Sequence, residues 1–351
     1  MPSSDRRRRS EWWGAAFSML AVLLAVTALR APAAAPENTA GAIEVEASRV
    51  PLDPADPNRK TLGPLRYLGG LWLRSEEPRF GGLSDLRLSR DGRELAAISD
   101  CGHGFTAHLH YDVDGQLVGL GDARLVPLTD SGGLPLTRDA SDAESLMAVG
   151  AEELDVGFEG TNSIRAYGPD FAGPGRLLGV PDGLDQCGSN TGLELMADMG
   201  DGRRLLVCEG RRHASITTPA WIGSGDSWQP REYPLKFDGG VAGEPFRPTG
   251  AARLPNGDML TLERRFPPLS GRLVRIPRAT LEGTGLLQGS EVARIEPPLT
   301  ADNFEGVEVL RDARGRTLVY LISDDNGCEK NQIPRKLNPQ RTLLLQFALG
   351  D

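Results

Sequence analysis

The chain has 351 residues, of which 43 are Gly and 26 Pro, with 6% aromatic residues and a formal net charge of −9. That length is enough to bury a sizeable core, and the negative balance excludes the basic surface that nucleic-acid binding requires. So much Gly and Pro suits short strands joined by many turns.

The N-terminus reads as a targeting segment. Arg6-Arg7-Arg8-Arg9 is a positive n-region, Gly14 to Leu29 is uncharged and apolar, and Ala31-Pro32-Ala33 offers an A-x-A cleavage pattern. Residues 1–33 are predicted as a signal peptide cleaved near Ala33. The apolar stretch is short for a membrane span, so an uncleaved anchor is the lesser alternative. A periplasmic or secreted protein follows for a bacterial source, with no membrane span once the signal is removed. Residues 34–62, rich in Pro, Ala and Asp, read as a leader or edge segment, and 63–351 as one β domain.

From Leu65 onward, short apolar runs alternate with turn residues. Leu71-Trp72-Leu73, Leu95-Ala96-Ala97-Ile98, Leu205-Leu206-Val207, Met259-Leu260-Thr261-Leu262 and Thr317 to Ile322 read as strands. Asp91-Gly92, Asp114-Gly115, Asp201-Gly202 and Asn256-Gly257 are strong hairpin signals, because these residues tolerate positive φ. Arg278 to Leu281 reads as one short helical turn. Among the four cysteines, which allow three pairings, Cys187 and Cys208 flank one apolar unit and could bridge its start to its end.

Five units repeat one pattern: a small or acidic start, an apolar strand, a turn, a second apolar strand and an acidic end. They begin at Gly82, Asp142, Gly192, Gly250 and Glu305. A period of about 50–60 residues signals a repeated supersecondary unit. Antiparallel hairpins at that period predict an all-β fold, a single β-propeller of four-stranded blades around a channel. Chain length divided by the period gives six blades, the sixth built from Leu65–Leu73 and the C-terminal strand Thr342–Phe347, which would close the ring and remove its exposed edge. A sandwich or β-helix is the structural alternative.

Strand ends near a propeller axis share one channel mouth. Glu144, Glu194 and Glu308 take the same place in three repeats, with Ser84 and Ala252 in the other two. Asp100, Glu159, Glu209, Glu263 and Asp324/Asp325 take the far end of the second strand. Converging carboxylates repel one another unless a cation neutralises them, and Ca²⁺ accepts six to eight oxygen ligands. Glu144, Glu194, Glu305 and Asp325 are therefore predicted as metal ligands. Glu209 or Asp100 is the candidate general base, and Arg264, beside Glu263 and Arg265, the electrostatic clamp for an anionic group. The structural reading of the same residues is solvated loop acids and arginines paired within the fold. Asn190, Asn303 and Asn326 are neutral oxygen ligands or turn formers. His103, His108 and His110 read as sheet-packing histidines rather than metal ligands, and His213 as a loop residue. No Gly-x-Ser-x-Gly elbow exists, so a serine-hydrolase route is unsupported, and Gly223-Ser224-Gly225-Asp226-Ser227 reads as a loop.

Phe80-Gly81-Gly82-Leu83-Ser84-Asp85, Asp142-Ala143-Glu144, Asn190-Thr191-Gly192-Leu193-Glu194, Leu262-Glu263-Arg264-Arg265-Phe266, Asn303-Phe304-Glu305-Gly306-Val307 and Ser323-Asp324-Asp325-Asn326, in this order and spacing, resemble the phytase-like ("esterase-like activity of phytase") family. The resemblance covers about Leu65 to Phe347. It implies a β-propeller in an exported bacterial protein and hydrolysis of phosphate or carboxylic esters. The expectation is a monomer acting on a small-molecule ester or phosphate with Ca²⁺ at the mouth. A lactonase-like propeller enzyme and a non-enzymatic binding propeller with structural calcium are the rivals.

Overall fold

A computed structural model describes residues 39–350 apart from 189–190, 211–214, 239–243, 267–268 and 328–338. The expected signal peptide and the sequence candidates Asn190, His213 and Cys328 lie outside the described residues. Among the described residues no helix is long and apolar enough to cross a membrane.

Strands β1 (Gly41–Ala42), β2 (Glu46–Arg49), β3 (Thr61–Leu62) and β4 (Leu65–Arg74) come first. A blade follows from β5 (Leu83–Leu88), β6 (Glu94–Ser99), β7 (His103–Tyr111) and β8 (Leu117–Pro127). The next is β9 (Ala143–Val149), β10 (Glu153–Phe158), β11 (Ser163–Tyr167) and β12 (Arg176–Leu177). The third is β13 (Leu193–Asp198), β14 (Arg204–Cys208), β15 (Thr217–Ser224) and β16 (Ser227–Pro234). The fourth is β17 (Arg247–Arg253), β18 (Met259–Arg265), β19 (Ser270–Ile276) and β20 (Ser290–Ile295), with the short helix α1 (Arg278–Glu282) between its last two strands. Finally come β21 (Asn303–Arg311), β22 (Thr317–Asp324) and β23 (Thr342–Leu349). The hairpin turns fall where Asp-Gly and Asn-Gly placed them; Gly257, for example, has φ +89° between β17 and β18.

The ring has five blades, which corrects the six expected from chain length. Leu65–Leu73 and Thr342–Phe347 do pair with each other, Leu345 opposite Gly70, but β23 also pairs with β22. They complete the fifth blade, in the order β21-β22-β23-β4-β2, instead of forming a sixth. The N-terminal strands thereby close the ring on the C-terminal ones, and β1 adds to the outer edge of the first blade beside β8.

The apolar runs are continuous because each blade is covered on both faces. In β14, Leu205 and Val207 join the buried cluster shared with the fourth blade, whereas Leu206 and Cys208 join the cluster shared with the second. The period-2 alternation of a strand sends neighbours to opposite faces. Among the described residues five apolar clusters result, one at each junction between blades.

The inner strands β5, β9, β13, β17 and β21 surround the axis, and one ion pair joins them. The Arg87 guanidinium donates to Asp85 Oδ1 at 3.0 Å and to the carbonyls of Val307, Met196 and Ala251 at 3.3, 3.2 and 3.4 Å. Asp85 Oδ2 accepts the Leu146 N–H at 2.9 Å. Two residues of β5 thus reach β9, β13, β17 and β21. Asp85 is 1% exposed, and burial pushes its carboxyl up to about 6 against the opposing pull of Arg87. Removing one partner of such a buried pair strands the other charge and costs about 3–5 kcal/mol. Arg87→Met is expected to lower the denaturant midpoint by an amount of that order, and Asp85→Asn in the same chain to recover part of it. An Arg87→Met midpoint equal to wild type would show that the axial pair is not a tie.

Candidate functional site

One backbone device recurs in every inner strand. The register against the second strand slips by one residue near the start, which is a β-bulge. The residues passed over are Ser84, Glu144, Glu194, Thr249 and Glu305. A bulge breaks the in-out alternation and re-aims a side chain, and bulges favour positions beside active sites. This register replaces the sequence alignment of the repeats: the partner of Glu144 and Glu194 is Glu305, not Glu308, and the fourth blade contributes Thr249, not Ala252.

The ends of the second strands form a matching ring. The amides of Asp100, Glu159 and Glu209 donate to the carbonyls of Gly82, Asp142 and Gly192 at 3.0, 2.8 and 2.9 Å. Arg264 and Asp324 take the same place opposite Arg247 and Asn303. The fourth blade therefore brings Arg264 to this ring rather than Glu263. Glu263 is buried outward, bonded to the Tyr233 hydroxyl at 2.7 Å and to Arg272.

Two groups form within the mouth. Arg264 is the centre of the first, with Nε 3.2 Å from Glu305 and Nη2 3.3 Å from Glu209 and 3.9 Å from Glu194. Burial opposes its charge, but Glu305, Glu209, Glu194 and Asp324 outweigh that and hold it more firmly protonated than usual. Its Nε–H is buried and directed at no hydrogen-bond acceptor among the described residues. Asn303 donates to Glu305 at 2.7 Å and to Asp324 at 3.4 Å.

The second group is Asp142, Glu144 and Glu159, which bring one carboxylate oxygen each within 4.8 Å of the others. Among the described residues this is the one cluster of three or more His, Cys, Asp or Glu able to hold a metal ion. Glu144 is pushed well above its ordinary value, by burial first and then by Glu194, Glu305, Asp100 and Asp142. Burial likewise raises Glu159 to about 7, against a hydrogen bond from the Gly192 N–H at 3.0 Å. Gly192 is needed there, since a Cβ would lie 2.7 Å from the Glu159 side chain and from its carbonyl. Glu194 and Asp324 are raised too, by burial and then by neighbouring carboxylates. An all-oxygen, anionic donor set fits a hard divalent cation.

Of the four expected ligands, Glu144 joins the trio, while Glu194 and Glu305 face Arg264. Asp325 accepts the N–H groups of Gly82 and Gly327 at 2.9 and 3.0 Å, fastening the last blade to the first. Asn326 caps a turn, its N–H donating to Asp324 at 2.6 Å. Asp142 and Glu159 were visible in sequence as a repeat start and a strand end, but their approach depends on the bulge. Arg247 was missed; it enters the mouth opposite Arg264, 3.5 Å from the Glu209 carbonyl. The Cys187–Cys208 disulfide pins the lead-in to β13 beside Glu209, the bridge its spacing suggested, and Cys101, next to Asp100, is also disulfide-bonded. His108 pairs with Glu94 at 2.8 Å on the outer part of the first blade, and Ser224 to Ser227 form the turn between β15 and β16.

Fold and mouth together define a five-bladed propeller with a carboxylate-lined channel opening. A family model described as "Phytase-like: Esterase-like activity of phytase" matches residues 78–327, and the chain belongs to this family. No curated protein matches the chain. Similar solved structures include the RRP9 WD40 repeats, at 9% identity over 86% of this chain and 100% of that one, with TM-score 0.44. They also include a Myxococcus xanthus glutaminyl cyclase, at 13% identity over 81% and 97% with TM-score 0.42. A virginiamycin B lyase from Staphylococcus aureus is similar at 11% identity over 87% and 100%, with TM-score 0.38.

The raised carboxyls set a pH dependence. Glu159 has an ordinary value of 4.5 and a folded value of about 7. Between those values the folded protein holds a proton that the unfolded chain has released, so stability falls as pH rises through the window. Glu144, Glu194 and Asp324 act in the same direction. In chelator, the melting temperature is expected to drop between about pH 4.5 and pH 7, and Glu159→Gln to flatten the drop. A melting temperature that climbs across that range would contradict the buried, raised carboxyls.

Proposed function

We propose that the protein is an exported, calcium-assisted ester hydrolase that works at the acidic mouth. The carrying observation is the Asp142, Glu144 and Glu159 trio, whose oxygens converge within 4.8 Å at a place where burial raises Glu144 and Glu159. These three would hold the ion, with Glu194, Glu305 and Asp325 outside its immediate shell. When bound, calcium supplies a Lewis acid that polarises an ester oxygen and lowers the pKa of a water.

The chain's own residues divide the remaining work. Arg264 is held in place by Glu194, Glu209 and Glu305, and its guanidinium is the positive charge at the mouth that faces an oxygen gaining charge in the reaction. Glu209 and Asp100, at equivalent strand ends flanking the trio, are the candidate bases. Thr249 and Ser84 replace carboxylates in the bulges of the fourth and first blades, on either side of Glu305. Crowded carboxylates disfavour a phosphate dianion, so a neutral carboxylic ester or lactone suits this mouth better than a phosphate monoester.

Stripping with chelator is expected to lower the melting temperature and abolish hydrolysis of nitrophenyl acyl esters, and calcium to restore both. Glu144→Gln is expected to cost about 10–100-fold or more in turnover, and the calcium response of the melt. Restored melting with no hydrolysis of any acyl or phosphate ester would favour the binding propeller instead. A melt indifferent to calcium would remove the metal reading altogether.

A further inference from the structure

The channel has a second mouth, at the far ends of the inner strands. Three residues beyond each bulge, the five strands place Arg87, Met147, Ala197, Ala252 and Glu308 at equivalent positions. All five line a cavity of about 410 Å³, completed by residues such as Leu254 and Val309. That volume lies within the range of small-molecule pockets. Arg87 crosses the axis at its inner end, between this cavity and the acidic mouth.

The polarity of the cavity is lopsided. Met147, Ala197 and Ala252 make apolar walls, and the three small or flexible side chains leave the space open. Arg87 offers little to a ligand, because its guanidinium N–H groups already serve Asp85 and the carbonyls of Leu86, Val307, Met196 and Ala251. Glu308 is different. Its Oε1 accepts the adjacent Val309 N–H at 3.0 Å, and its Oε2 lies 3.5 Å from Arg87 Nε. Asp85 and Glu308 thus share a single guanidinium, and Glu308 stands beside an apolar wall with its Oε2 only at the edge of reach of Arg87. Two further arginines, Arg253 and Arg311, line the rim and have partners there. Arg253 packs against the Gly200 turn, where a Cβ would lie 2.2 Å from its Nη1, and Arg311 donates to the Gly315 carbonyl at 3.2 Å. Asp198 is the remaining charged group on the rim.

We propose that this cavity binds a small organic ammonium ion, with its cationic head on Glu308 and its apolar body against Met147, Ala197 and Ala252. The bound charge completes the neutralisation that Arg87 begins. Burial, working against Arg87, pushes the Glu308 carboxyl up to about 7, which is the signature of a carboxylate short of a partner. The proposal does not depend on the hydrolase reading, since the two mouths share no side chain.

The test is titration calorimetry with phenylpropylamine, phenylpropanol and phenylpropanoate on the full-length protein in calcium-containing buffer. The amine is expected to bind at least about tenfold more tightly than the alcohol, the worth of one charge-assisted hydrogen bond. Glu308→Gln is expected to remove that advantage, and Ala252→Leu, which fills the cavity without touching a charge, to abolish binding. A melting scan of each variant establishes that it is folded, and Glu308→Gln alone decides if Ala252→Leu is not. No heat with the amine, equal or tighter binding of phenylpropanoate, or amine binding unchanged in Glu308→Gln would overturn the proposal. The last result would place the amine at the acidic mouth.

Discussion

Arg87 stands where five inner strands meet, and most of the molecule's layout follows from that position. A propeller ring buries its apolar surface between neighbouring blades, so the axis itself is left lined with backbone carbonyls. A guanidinium has five donors in a fixed fork, which matches that ring of acceptors. Here Arg87 meets carbonyls of β5, β13, β17 and β21, and Asp85 carries the tie to β9. The arrangement also divides the channel. Above it lies the acidic mouth and below it a cavity of different character, so one fold carries two separate chemical environments.

The acidic mouth shows how a structural repeat becomes a site. The same bulge in each inner strand presents the same position to the axis, and the sequence then varies what stands there. Three bulges carry Glu, one Ser and one Thr; four second-strand ends carry an acid and the fourth blade carries Arg264. A ring of identical acids would be a uniform sink of negative charge. The substitutions instead collect Glu194, Glu209 and Glu305 around one guanidinium and leave Asp142, Glu144 and Glu159 converging on each other. Burial makes that convergence costly unless protons or a cation offset it.

Much of the fold was legible in the sequence, and the parts that were not have physical reasons. Asp-Gly and Asn-Gly turns between apolar runs marked the hairpins, and five repeat copies became five blades. The sixth blade was an error of division. Long stretches between strands, such as 178–188, consume length without adding a blade, and β4 and β23 share one blade instead of making their own. The resemblance to the phytase-like family was carried by motifs that fall at the bulges and strand ends, which is why it survived the miscounted ring. Site residues were legible as a set but not in their grouping. A one-residue bulge is invisible to period-2 reasoning, and it moved the equivalence from Glu308 to Glu305, from Ala252 to Thr249 and from Glu263 to Arg264. Asp325, grouped by sequence with the ligands, has its oxygen committed to two backbone N–H groups.

The proposed function requires that the converging carboxylates of the mouth gather a cation. Anomalous diffraction from crystals grown with terbium, an oxygen-seeking stand-in for calcium, tests it most directly. The result expected is a single strong peak bounded by Asp142, Glu144 and Glu159, displaced by excess calcium and lost in Glu144→Gln. A map with no peak in the mouth at saturating ion, or one whose peak lies away from all three carboxylates, would contradict it.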